Sequence, residues 1–535
     1  MSIYHEAWIS LSTEPVWPTT ILSHLRRLVS FDIRVPPQYT TVDVIGLNLR
    51  VLPPTLTHLG FGKAKFCLNT QLQSSPSDHG NNTLARLFPT LRTLRTSGDP
   101  EILHKVPETL ATIWITARQY PHFELSPHIT DLRISFYIKH HEDKFPPLPP
   151  LLTRLRFDSK LSDPRCLLPF PSTLRSLYFE DMETNSWVTN LPKDLTSLSL
   201  GISMRAVAPS DIALLPRTLK SLLLRGQYWG ASKLNDANLK DLPPQLTELD
   251  VSSECTHLSG FPETLTKLNI RGSVDAIGGI EHLPRGLVAL GLSSIDSLTN
   301  AAIAQLPTKL TSLKLPQAVR IHSIAGLPHT ITVLKLYNVT DAEALILPPT
   351  LTVLILENEY MRTMAPRITA KGVPLLPDSI KTLKLAVQVT DQHLQPQQQG
   401  EPHFKWPRSL RSLTLSHLSS ITDSAIALLP ATVSSLVIPG NGPSGSCFAT
   451  LPPRLIEFVI LSEIPMAAED LQHLPGTIAL LEMWSKPMND TWVSKLPRLL
   501  TSIYLHRTTV TEPVIRSHCR YVDIVQLFGS TEFRS

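Results

Sequence analysis

The sequence predicts an α/β solenoid, with a parallel β-sheet on the concave face and short helical or extended returns on the convex face. Three observations predict it. One phrase recurs along most of the 535 residues: LPPTLTHLGF, LPKDLTSLSL, LPRTLKSLLL, FPETLTKLNI, LPTKLTSLKL, LPPTLTVLIL, WPRSLRSLTL and LPRLLTSIYL. Each copy ends in a period-two alternation of apolar residues, the mark of a short strand with one buried face. Proline, with 47 residues against 22 glycines, is concentrated just before each alternation instead of in linkers.

Aligned on the first apolar residue of Leu-x-x-Leu-x-Leu, the anchors are Leu56, Leu91, Leu110, Ile129, Leu152, Leu174, Leu195, Leu219, Leu246, Leu265, Leu287, Leu310, Ile331, Leu351, Ile380, Leu410, Val433, Leu455, Ile478 and Leu500. These are twenty copies at a mean period of about 23 residues. The positions four before and three after the anchor are apolar in every copy, and the position five after in every copy but Thr96. Equivalent strands a whole repeat apart must run the same way, so the sheet is parallel and its connections lie on the other side. One unit buries too little to fold alone; stacking builds one continuous core.

The prolines mark where each strand starts. Eighteen copies have Pro three before the anchor, and the other two have Pro89 or Pro127 one position later. The missing N–H is harmless there because the ladder has not begun, and the residue before the ring is held extended. Between strands, LNDANLKDLP, LTNAAIAQLP, VTDAEALILP, ITDSAIALLP and MNDTWVSKLP carry helix-start signals. They place one or two helical turns from about Asp236, Asn300, Asp341, Asp423 and Asp490.

The units resemble leucine-rich repeats over about residues 25–510. The Leu-Pro phrase is similar to the short Leu-Pro subclass of bacterial effectors and to FNIP-type repeats, although most units lack the Asn that commonly follows the strand, and the Phe-Asn of the FNIP phrase. The resemblance implies a curved stack of parallel strands that binds partners on its strand face, and it implies no catalytic residue.

Residues 1–24 lack the phrase and contain Trp8 and Trp17, which suits an N-terminal cap; a degenerate first unit follows at Leu28, Phe31 and Ile33. Residues 511–535 open on a helix start at Thr511 with Pro513 in the first turn and suit a C-terminal cap. Three long spacings contain QLQSSPSDHGNN, RTMAPRITAKG and LQPQQQGEPH, which read as polar surface insertions. No apolar segment reaches the length of a membrane span, and no leader pattern opens the chain. A net charge of +4 over this length is a weak field that demands neither nucleic acid nor an anionic membrane. The five cysteines, Cys67, Cys166, Cys255, Cys447 and Cys519, are scattered and lack metal-ligand spacing, so reduced buried thiols and a cytoplasmic setting are expected.

Enzyme signatures are weak. Gly440, Gly442 and Gly445 form a G-x-G-x-x-G after a strand, but Pro443 and the short distance to Leu455 leave no room for a phosphate-binding helix, so a turn is expected. His140, His141, Glu142 and Asp143 read as a solvated loop and not as a metal site. No cofactor, metal, small-molecule substrate or catalytic set is expected.

Residues two and four after the anchor point away from the core and draw the strand face. Three patches emerge there. Arg95, Trp114, Arg133, Arg154, Arg156 and Tyr178 combine the residue types enriched at interface hot spots. Beyond the acidic pair Glu248 and Asp250, Lys314, Lys335 and Lys384 form a second basic run. Val437, Val459, Leu461, Trp484 and Tyr504 form an apolar strip. The expected function is a non-enzymatic scaffold that holds a protein partner on the first patch. The alternative is a substrate adaptor of a ubiquitin ligase, although the short N-terminus shows no F-box. Ten copies carry Thr one after the anchor, a position expected to support neighbouring strands.

Overall fold

The computed structural model describes residues 6–10, 30–34, 42–44, 52–66, 84–97, 106–117, 125–136, 145, 147–161, 167–182, 187–201, 209–224, 238–252, 258–271, 279–292, 297–298, 300–315, 320–321, 324, 326–336, 339–356, 368–394, 403–416, 419–439, 443–461, 463–484, 488–506, 508–519, 521–522 and 524–528. The chain divides into two compact units. Unit 1 comprises Met1–Cys255 and Ser259–Thr266, and unit 2 comprises Thr256–Leu258 and Lys267–Ser535.

Unit 1 holds strands β1 (Glu6–Ser10), β2 (Ser30–Arg34), β3 (Val42–Val44), β4 (His58–Phe66), β5 (Thr93–Ser97), β6 (Thr112–Ala117), β7 (Asp131–Phe136), β8 (Arg154–Leu161), β9 (Ser176–Met182), β10 (Ser197–Leu200), β11 (Ser221–Leu224) and β12 (Glu248–Ser252). β1 pairs with β2, both β2 and β3 pair with β4, and from β4 onward each strand pairs with the next, always in parallel. Phe31 lies opposite Leu59, the register expected of a degenerate first unit. β1 falls within the stretch expected to cap the stack and adds a strand to the ladder.

Unit 2 holds β13 (Lys267–Arg271), β14 (Ala289–Leu292), β15 (Ser297–Leu298), β16 (Ser312–Lys314), β17 (Arg320–Ile321), β18 (Val333–Leu336), β19 (Val353–Leu356), β20 (Thr382–Leu385), β21 (Gln388–Val389), β22 (Ser412–Leu415), β23 (Ser420–Ile421), β24 (Ser435–Ile438), β25 (Glu457–Ile460), β26 (Leu480–Trp484), β27 (Ser502–His506) and β28 (Ile524–Phe528). The main ladder runs β13, β14, β16, β18, β19, β20, β22, β24, β25, β26, β27, β28, every pair parallel. β15 with β17 and β21 with β23 form two small parallel sheets among the returns. Each unit is a leucine-rich-repeat stack.

The core follows the repeat columns. All twenty anchors are 0% exposed, and no residue of the three-after column exceeds 2%. Thr96, the one polar member of the five-after column, is buried as well. In unit 1 the same interior takes aromatic rings, with Phe179 edge-on to Trp187 at 5.4 Å and tilted against Phe157 at 6.4 Å.

The proline slot closes a turn. The anchor N–H donates to the carbonyl three residues back, as in Leu56 to Pro53 at 3.2 Å and Leu310 to Pro307 at 3.0 Å. Proline thus supplies an acceptor where its missing donor is not needed. The preceding Leu is extended, for instance Leu283 at φ −62°, ψ 143° and Leu376 at φ −64°, ψ 144°, as the steric rule for pre-proline residues requires.

Two threonine columns tie repeat to repeat. The expected one, just after the anchor, donates to a carbonyl of the previous repeat, as Thr153 does to Thr130 at 2.9 Å. A second, just before the anchor, bridges two carbonyls of the previous turn: Thr173 reaches Pro150 and Leu152, each at 2.8 Å, and Thr264 reaches Pro244 and Leu246 at 2.9 and 2.6 Å. The second column brings a donor to carbonyls just ahead of the strand, while the carbonyl met by the first also accepts backbone N–H groups, as that of Thr130 does from Thr153 and Arg154.

Helical returns form at Asn300–Ala304, Asp341–Ala344, Asp423–Ala427 and Asp490–Val493, and a 3-10 turn at Leu239–Asp241. Their first-turn aspartates also reach the next return. Asp341 accepts from the Thr369 N–H at 2.7 Å, Asp423 from the Ser444 N–H at 2.8 Å, and Asp490 from the Thr511 N–H at 2.9 Å. The segment RTMAPRITAKG is not wholly a surface loop: Ile368 and Ala370 at its end are 3% and 2% exposed, held in by that Asp341 contact. The C-terminal helix Glu512–His518 starts at Thr511 as expected. Trp17 and the insertion QLQSSPSDHGNN lie outside the described residues.

Candidate strand-face site

Alternation along each strand sends the residue four after the anchor outward, and the register lines these residues up. In unit 1, Gly60, Arg95, Trp114, Arg133, Arg156 and Tyr178 are successive partners across β4 to β9. Arg154 stands beside them in the two-after column, opposite Asp131. All six predicted partner-binding residues therefore share one face, and each side chain is exposed or half-exposed.

The side chains form a stack. The Trp114 ring lies between two guanidiniums, with Arg95 Cζ 5.5 Å and Arg133 Cζ 5.1 Å from its centroid. The Arg156 guanidinium lies 4.2 Å over the Tyr178 ring. Guanidinium faces take up the π-clouds and leave their N–H edges for carboxylates.

Two carboxylates use guanidinium edges and a third takes the Tyr178 hydroxyl, and the sequence expectation missed all three. Asp158 accepts from Nε of Arg133 and from Nε of Arg156, the latter at 2.5 Å. Asp131 pairs with Arg154 at 2.7 Å, and the Tyr178 hydroxyl donates to Glu180. Asp158 and Glu180 sit six after their anchors, on the same face as the four-after column, because β8 and β9 run on past the repeat phrase. Among the described residues Arg95 makes no ion pair. The patch expected to be basic is thus a nearly balanced lattice.

The other patches differ from expectation in detail. Asp250 is buried, and Glu248 accepts from the Ser221 hydroxyl at 3.1 Å, so the acidic pair is drawn into the ladder. Lys314, Lys335 and Lys384 share the four-after column of unit 2 with Ile355 between the last two. In the apolar strip Val459 is buried, while Trp484 stacks on His506 at 4.0 Å between centroids, and His506 Nε2 lies 3.0 Å from Glu482 Oε1. Only Leu461 of that strip is a strongly exposed aliphatic side chain, at 39%.

The G-x-G-x-x-G has no phosphate site at its described end. The backbone N–H and hydroxyl of Ser444 donate to Asp423, and a Cβ on Gly445 would collide with the Asp470 carboxylate. Two carboxylates there repel an anion. They also act with burial on Cys447: burial first, then Asp423 and Asp470, push its thiol up to about 12. Burial raises Cys519 too. Gly440, Gly442, His140, His141, Glu142, Asp143, Cys67, Cys166 and Cys255 lie outside the described residues. Among the described residues no three His, Cys, Asp or Glu side chains are grouped to hold a metal, and no helix is long and apolar enough to cross a membrane.

No protein-family model matches the sequence, and neither does any curated protein. Solved structures that resemble the chain include the following two. CroV588, described as a novel circular LRR protein structure, is 15% identical with a TM-score of 0.44 over 99% of this chain and 86% of that one. An internalin, inlF, from Listeria monocytogenes str. 4b F2365 is 16% identical with a TM-score of 0.38 over 63% of this chain and 87% of that one. The assignment of the fold rests on the chain's own parallel ladder and buried repeat columns.

Proposed function

We propose that the protein is a non-enzymatic interaction scaffold of the Leu-Pro repeat type, acting in the cytoplasm, and that a protein partner docks on the strand face of unit 1. One observation carries the reading: Trp114 is sandwiched by Arg95 and Arg133 on an open face, with Arg156 over Tyr178 beside it. Such side chains are already ordered before binding, so a partner that buries them loses little further rotamer entropy. Arg, Trp and Tyr are also the side chains that most often dominate interface energetics. Free, buried Cys447 and Cys519 suit a reducing compartment.

The test is affinity purification with mass spectrometry on wild type and an Arg95→Glu/Trp114→Ala variant. Those positions are preferable to Arg133 and Arg156, where glutamates would crowd Asp158 and unsettle the lattice itself. Proteins captured by the wild type and lost from the variant, at unchanged thermal unfolding, support the reading. Equal capture by both overturns it.

A further inference from the structure

We propose that the strand face of unit 2 from β24 to β27 is a second docking surface, for a basic protein segment that presents Lys or Arg side chains together with a large apolar one. The inference does not rest on the arginine patch of unit 1.

Strands β24 to β28 read SLVI, EFVI, LLEMW, SIYLH and IVQLF. They carry Glu457 and Glu482 and neither Lys nor Arg. Glu457 stands two after its anchor and Glu482 four after, so both lie on the outward face, and both are half-exposed. Their neighbours hold them in position: Glu457 accepts from the Ser435 hydroxyl at 2.8 Å, and Glu482 Oε1 lies 3.0 Å from Nε2 of His506. Among the described residues neither carboxylate is paired with Lys or Arg.

The register sets their spacing. Glu457 is the direct partner of Leu480, and Glu482 is the partner of Val459 on one side and of Tyr504 on the other. One strand and two residues separate the two acidic positions, so their backbones stand roughly 8 Å apart with Leu480 at the corner between them. Val437, Leu480, Trp484 and Tyr504 are half-exposed around the pair, and Leu461 is 39% exposed. Trp484 lies flat on His506, with 4.0 Å between centroids and 6° between planes, and the same imidazole meets Glu482. The surface is therefore ordered before anything binds, which lowers the entropic cost of docking.

Charge complementarity selects a basic occupant, because an arriving Lys or Arg meets two carboxylates and no Lys or Arg on these strands. Half-exposed Trp and Tyr rings add cation–π attraction for the same side chains. The aliphatic floor selects a segment that also carries a large apolar residue. A nucleic acid fits less well, because its phosphates would face the carboxylates with no cation to neutralise them.

The test is selection of a phage-displayed random dodecapeptide library on the full chain, after removal of phage that bind the Glu457→Lys/Glu482→Lys variant. Fluorescence anisotropy with the most enriched peptide in synthetic form follows. Enriched peptides should carry at least two Lys or Arg together with Leu, Ile or Phe. Their affinity should fall about tenfold on Glu457→Lys/Glu482→Lys. It should fall about threefold on Leu461→Ser and stay unchanged on Trp114→Ala. If the double reversal alters thermal unfolding, Glu457→Gln/Glu482→Gln takes its place, with the same ordering and a smaller drop. Failure to enrich peptides, enrichment without basic residues, unchanged affinity for the carboxylate variants, or loss of affinity on Trp114→Ala would each overturn the proposal. So would tighter binding of a uridine dodecamer than of the peptide, or self-association of the free chain that the carboxylate variants abolish.

Discussion

The two cationic stretches of the strand face use the same column of the same repeat and end up physically different. In unit 1 four arginines are met by two aromatic rings and by Asp131 and Asp158, with Glu180 on the Tyr178 hydroxyl, which gives an ordered lattice with little net charge. In unit 2 the same column carries Lys314, Lys335 and Lys384, with Ile355 between the last two. Planar, weakly hydrated guanidinium packs against rings and carboxylates, whereas ammonium stays solvated and projects a field. A repeat scaffold can thus change the chemistry of its strand face by changing a single position per turn.

Trp114→Ala should have the largest effect. It removes the ring shared by Arg95 and Arg133, and affinity for the partner of unit 1 should fall by about thirtyfold, read by calorimetry. Next comes salt. Raising NaCl tenfold from low ionic strength should weaken binding on the arginine lattice by no more than about twofold, because its guanidiniums are already paired. A salt slope of tenfold or more would contradict an internally paired lattice.

Unit 2 should also answer to alkaline pH. Burial, with Asp423 and Asp470 beside it, pushes the thiol of Cys447 in unit 2 from its ordinary value of about 9 up to about 12, so the folded state holds a proton that the unfolded state releases. The stability this contributes is full below about pH 9 and is lost as pH rises from there towards 12; by pH 10 it should amount to a loss of about 1 kcal/mol in unit 2, seen as earlier melting. Cys447→Ser should remove this alkaline loss. The smallest effect is expected from Asp158→Ala. Its arginine partners are more than a third exposed and solvent-screened, so denaturant unfolding should register only about 0.2–1 kcal/mol. Binding at the lattice should nonetheless become more salt-sensitive, since two guanidiniums lose their internal partner.

Much of this is legible in the residues alone. The anchors, the columns three and five after them, and the outward column follow from a strict period, because stacking forces equivalent positions into register. Helix starts at Asp341, Asp423 and Asp490 are legible because an N-cap is a local signal. The carboxylates of the arginine lattice were hidden by strand length: β8 spans Arg154–Leu161, well past the repeat phrase, and only then does Asp158 share a face with Arg133 and Arg156. Thr173 and Thr264 lie in a column visible in the sequence, but their role depends on two carbonyls from the previous turn meeting one hydroxyl. The stacking of Trp484 on His506 likewise joins positions 22 residues apart, and a count of apolar side chains does not reveal it.

The central claim is that partners bind the strand face of unit 1 and not the returns. Hydroxyl-radical footprinting of the captured complex addresses it, because both faces carry oxidisable side chains: Trp114 and Tyr178 on the strands, Leu214 and Leu345 on the returns, the last two 52% and 65% exposed. The account predicts that the partner protects Trp114 and Tyr178 while oxidation of Leu214 and Leu345 is unchanged. Protection of Leu214 or Leu345 with Trp114 still fully reactive would contradict it.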